Sequence, residues 1–219
     1  MLPLQFTTSR TARYLILGEA SPTTNHLWVC LHGHGQSLAE LAAYLQNLVV
    51  PGCLLLLPEA LSRYEQLQDV NADGILDAAP RTGAAWFAAE TLLPDLTDVA
   101  AYLDGLVAQV LPTCPPATPL TVLGYGHGAA AACRWLAGTS RPYDRLILVE
   151  PVFPPEIDRR ATLVALPEYP VLVMRATDAS TPEAADDGLM QDLLDVGLSA
   201  QRRLVAAAEP LPLAALAGN

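Results

Sequence analysis

Lysine is absent: all twelve basic residues of this 219-residue chain are arginines, set against 23 acidic ones for a net charge of −11. With so little positive charge, a face for nucleic-acid phosphates or anionic membranes is not expected, since both demand clustered cations. Charged residues of every kind reach only 16% and aromatics 6%, while apolar residues make up 52%. That balance excludes a disordered chain, which needs the opposite composition. No apolar run approaches the length of a transmembrane helix; the longest, residues 48–58, is interrupted by Pro51 and Gly52. The opening residues lack a signal-peptide pattern, broken as they are by Thr7, Thr8, Ser9, Arg10 and Arg13. The four cysteines, Cys30, Cys53, Cys114 and Cys133, form no CxxC pair and no metal-ligand spacing. Reduced thiols and a cytoplasmic location are the expectation.

What the chain does have is alternation. Short apolar runs at 27–31, 53–57, 120–124, 145–149 and 171–175, bracketed by runs at 12–18 and 201–206, read as strands buried on both faces. Amphipathic stretches separate them. Ser37 and Glu40 form a capping box ahead of Leu38, Leu41, Leu45 and Leu48 on one helical face. Asp95 to Leu111 repeats the periodicity before Pro112, and an alanine-rich helix begins at His127. A fourth helix is expected from Thr181 as cap and Pro182 at its first position, ending before Gly197. Strand–helix–strand order predicts an α/β fold: a mostly parallel central sheet with helices on both faces, spanning 1–219 as a single domain. Such sheets bind ligands beyond the carboxyl ends of their strands.

One motif falls at such an end. After the run LTVL comes Gly124-Tyr125-Gly126-His127-Gly128, then the alanine-rich helix. A strand, a glycine-flanked turn and a helix are the setting of the G-x-S-x-G nucleophile elbow, but the middle position here is glycine. A second motif lies in the segment 69–77, where Asp69, Asn71, Asp73 and Asp77 occupy calcium-loop ligand positions with Gly74 at the turn. Pro80 stands where the bidentate glutamate would be. Both a calcium site and a solvated acidic turn fit this segment.

The chain resembles the phospholipase/carboxylesterase branch of the α/β-hydrolases, small serine esterases related to acyl-protein thioesterases. The resemblance runs from Ala12 to about Leu213. It rests on LHGHGQS at 31–37, PEALSRYE at 58–65, RTGAAWF at 81–87, LGYGHGAAAACRW at 123–135 and PVLVMRATDASTP at 170–182. It implies an α/β-hydrolase fold without a separate lid domain, and a triad whose positions fall on Gly126, Asp178 and Glu209. Two of those three differ from the family: glycine replaces the serine and glutamate replaces the histidine, and no histidine lies beyond His127. It further implies that the backbone N–H groups of His34 and His127 form an oxyanion hole.

Two functional readings follow. One is a non-hydrolytic pseudo-enzyme that holds a small acyl-like or anionic ligand. The other is an active carboxylic-ester hydrolase with a non-standard nucleophile or an activated water. Cys133 reads as helix packing, Ser37 as a cap, and Ser180 has no histidine to activate it. His32, His34 and His127 lack metal-ligand spacing, so no cofactor is expected apart from the calcium just considered. Glu59 and Glu150, at strand ends, would together with Asp178 and Glu209 make an acidic mouth, with loop charges or helix-cap partners as the simpler expectation.

Overall fold

A computed structural model describes residues 4, 6, 8–66, 81–177 and 188–206. Seven strands form one sheet: β1 (Tyr14–Leu17), β2 (His26–Leu31), β3 (Cys53–Pro58), β6 (Leu120–Tyr125), β7 (Arg145–Val149), β8 (Val171–Thr177) and β9 (Ala200–Ala206). Their order is β1-β3-β2-β6-β7-β8-β9, and only β1 runs antiparallel to its neighbour. Each of the seven apolar runs forms one of these strands. Their uniformity has a direct cause, because alternate residues of each central strand face opposite layers. Leu54 and Leu56 join one hydrophobic cluster, Leu55 and Leu57 the other.

The helices divide unevenly between the two faces. The Leu54 side packs against α2 (Leu92–Val110), α3 (His127–Leu136), α4 (Arg159–Val164) and α5 (Leu189–Asp195). The Leu55 side carries α1 (Leu38–Tyr44). Ser37 caps α1 as its sequence predicts: its hydroxyl accepts from the Glu40 N–H at 3.2 Å, while Glu40 accepts from the Ser37 N–H at 2.8 Å. The helix stops at Tyr44, and a 3-10 turn over Gln46–Leu48 carries Leu48 into the core. α2 starts three residues earlier than the periodicity predicts, with Pro94 inside its first turn, where its missing N–H has no helical partner to lose.

One helix start falls outside the described residues, and one element goes unmarked in the sequence. Within the described residues the fourth helix begins at Leu189, behind Gly188 as N-cap; Thr181 and Pro182 lie outside them. Gly197 ends it as expected, at φ 85°, with Leu198 N–H reaching back to Leu193 C=O at 3.0 Å. The unmarked element is a ribbon: β4 (Ser62–Gln66) and β5 (Arg81–Ala85) pair antiparallel, setting Tyr64 opposite Gly83, in segments that carry no apolar run. α4 likewise has no sequence signal of its own; Asp158 caps it by accepting from the Ala161 N–H at 2.9 Å. Among the described residues no helix is long and apolar enough to cross a membrane.

Candidate functional site

The turn between β6 and α3 is held from both sides. Gly126 adopts φ 55°, ψ −123°, a region closed to most side chains. Its N–H donates to Val149 C=O at 2.9 Å, and its own C=O accepts from Ala129 N–H at 3.1 Å and Val152 N–H at 3.0 Å. The flanking glycines answer a different demand. A Cβ on Gly124 would lie 2.5 Å from the Ala129 Cα, and one on Gly128 would lie 2.5 Å from the carbonyl oxygens of Leu31 and His32. They let α3 press against β6 and the end of β2. Among the described residues a Cβ at Gly126 would meet only the Gly33 Cα, at 3.5 Å, an ordinary contact. The middle position has room for a side chain but carries none.

Facing this turn is the loop after β2. His32 is fully buried, and its protonation follows from its partners. The Ala60 N–H can only donate, at 3.0 Å to Nε2, so the proton sits on Nδ1 and is given to Gly33 C=O at 2.7 Å. Burial pushes the pKa of this imidazole down, only partly offset by the Gly33 bond and the nearby Glu59. The loop is further fixed by Trp86 Nε1–H on His32 C=O at 2.7 Å, Gly33 N–H on Gln36 Oε1 at 2.9 Å, and Gly35 N–H on Ala84 C=O at 2.9 Å. The backbone N–H groups of His34 and His127 meet no acceptor among the described residues. The two imidazoles stand edge to face with centroids 5.2 Å apart. His34 Nε2 is 3.0 Å from the Tyr64 hydroxyl, and the Phe87 ring lies 5.9 Å from that of His127. Burial, then the neighbouring His34, lowers the His127 pKa.

Solved structures share this arrangement of sheet and helices. Esterase PE8 superposes with a TM-score of 0.64 at 20% identity, over 94% of this chain and 95% of that one. A carboxylesterase from Mesorhizobium loti gives 0.61 at 17% identity, over 89% and 85%. Acyl-protein thioesterase 2 from Zea mays gives 0.56 at 20% identity, over 93% of each. The chain has the α/β-hydrolase fold. Neither a family model nor a curated protein matches the sequence.

Of the carboxylates expected at the mouth, the two among the described residues, Glu59 and Glu150, are each engaged by partners. Glu59 is buried with Arg13 Nε and Arg63 Nε each 3.3 Å from its Oε2, contacts of charge without hydrogen-bond geometry. Glu150, at φ 45°, accepts from the Ala176 N–H and lies 3.8 Å from Arg175 Nη1. It ties the end of β7 to β8. Around the turn, the Val152 N–H bonds the Gly126 carbonyl, the Phe87 ring lies against His127 and the Tyr64 hydroxyl meets His34. Nothing in the sequence marks Tyr64 or Val152, because each reaches the site through a pairing or hydrogen bond remote along the chain.

The expected triad positions Asp178 and Glu209 lie outside the described residues, as do Ser180 and the segment Asp69, Asn71, Asp73 and Asp77. Cys133 is fully buried with its thiol pKa pushed up to about 12 by burial, so it cannot serve as a nucleophile. Ser37 is committed to its cap. Among the described residues no three His, Cys, Asp or Glu side chains are placed to hold a metal. A separate cleft of about 600 Å³ opens between residues 6–12 and α2, lined in part by Arg10, Asp95, Asp98 and Tyr102, none of which reaches the elbow.

Proposed function

We propose that this protein is a non-hydrolytic relative of the carboxylesterases that binds a small acyl-like or anionic ligand at the elbow. The observation that carries the reading is Gly126 itself, in the backbone conformation of a nucleophile elbow and with room for the side chain it lacks. Serine acyl transfer needs a hydroxyl to attack and an imidazole to move its proton, and losing either costs about 10⁶ in kcat in a subtilisin-type enzyme. The His34 and His127 N–H groups are backbone donors, independent of side-chain identity, and suit the oxygen of a carboxylate or an ester carbonyl. Phe87, Val152 and Tyr64 suit an apolar body attached to that oxygen.

The test is hydrolysis of short p-nitrophenyl esters by the parent and by a Gly126→Ser/Glu209→His double variant. The parent is expected to show no turnover above an inactive control, while hexanoate raises its melting temperature by the binding linkage. The double variant is expected to gain measurable turnover. Parent turnover would overturn the proposal in favour of an active hydrolase with a non-standard nucleophile or activated water.

A further inference from the structure

We propose that β1 is a homodimerisation edge, pairing antiparallel with β1 of a second copy about a two-fold axis through Ile16. Among the described residues β1 pairs on one side only, with β3. The Glu59 N–H donates to Arg13 C=O at 2.8 Å, which fixes the alternation of the ladder. Arg13, Leu15 and Leu17 therefore turn their peptide groups toward β3, and Tyr14 and Ile16 turn theirs outward. Outward-facing groups on an apolar strand are a template for another strand unless something blunts them. Here nothing does. Residues 14–17 contain no charge and no proline, and Tyr14, Leu15 and Ile16 are 39%, 38% and 42% exposed. β9, last in the sheet order at the other end, carries Arg202 and Arg203 within the strand.

A second copy fits this edge better than a generic strand because the segment complements itself. With the axis at Ile16, each Ile16 exchanges both backbone hydrogen bonds with Ile16 of the second copy, and Leu15 stands opposite Leu17. The faces agree as well. Leu15 and Leu17 share the face of Leu57 and Leu55, and Ile16 shares that of Leu56, so both hydrophobic layers of the sheet continue across the axis. Antiparallel pairing also carries the Arg13 end of one strand toward the Glu19 end of the other, joining opposite charges at both ends of the ladder. The contact is short, so it is expected to be weak and concentration-dependent.

Sedimentation equilibrium of the full chain tests it. The expected mass rises from 23.3 kDa toward twice that value with concentration. Ile16→Lys is expected to hold the protein monomeric at the same concentrations with little change in melting temperature, since the side chain is already exposed. Register is tested by oxidation. Ile16→Cys should cross-link to a covalent dimer, because a hydrogen-bonded antiparallel pair sets Cα atoms about 5.5 Å apart, within disulfide reach. Leu15→Cys, displaced from its own symmetry mate, should not cross-link, and nor should the parent with its native cysteines. A monomer at every concentration, a dimer indifferent to Ile16→Lys, or equal cross-linking of the two cysteine variants would each overturn the proposal. So would open-ended polymers in place of a dimer.

Discussion

Three glycines in five residues look alike in sequence and do different work in space. Gly124 and Gly128 are held by contact, each with backbone atoms 2.5 Å from where a Cβ would sit, whereas Gly126 is held by conformation alone. Alanine at 124 or 128 should therefore lower the melting temperature more than alanine at 126, whose cost is the strained backbone, about 1–3 kcal/mol. Thermal unfolding of the three variants checks this, and the reverse ranking would refute the distinction. The spacing of these glycines is enough to make the turn legible in the sequence alone. The roles of Glu59 and Glu150 are not legible there, because their partners Arg13, Arg175 and the Ala176 N–H are brought to them by the sheet.

Elements divide along the same line. The five inner strands of the main sheet announce themselves because burial on both faces demands unbroken apolar runs, whereas the edge strands β1 and β9 are partly exposed and β9 carries two arginines. The β4–β5 ribbon does not, since Ser62–Gln66 and Arg81–Ala85 are polar or small and owe their extended form to each other. Yet this ribbon supplies Tyr64 to His34 and leads into Phe87 at the elbow. α4, six residues long, is too short for a periodicity to register. Local signals do carry where one side chain settles a boundary, as at Ser37. Ser37→Ala should cost about 1 kcal/mol, read as a lower urea midpoint at unchanged slope, with Ser37→Asp restoring most of it.

For the molecule as a whole, acid is the informative perturbation. His26, His32 and His127 all have pKa values lowered from 6.5, chiefly by burial. A histidine whose folded pKa is depressed takes up its proton more readily when unfolded. Its contribution is intact above pH 6.5 and lost as pH falls below that value. For the buried His32 the slope reaches at most about 1.4 kcal/mol per pH unit. His32→Ala leaves the Ala60 N–H and Gly33 C=O without their partner and should destabilise the protein at pH 7.5 by about 2–4 kcal/mol. That deficit should narrow between pH 6.5 and 5 as the parent loses what the variant never had. Denaturant titrations at both ends of the range decide it; a gap that stays constant or widens would contradict the neutral assignment of His32.

The open space at position 126 also has a meaning in the genetic code. Glycine and serine codons such as GGC and AGC differ at a single base, while exchanging glutamate for histidine takes two. Apart from the backbone strain, packing among the described residues offers no obstacle to the first change, since the added Cβ would meet only the Gly33 Cα. Where the glycine codon is GGC or GGU, a hydroxyl at the tip of the elbow is one point mutation away. Its recurrence in a population would be governed by selection on what the site does, weighed against the backbone strain that a side chain brings to this turn.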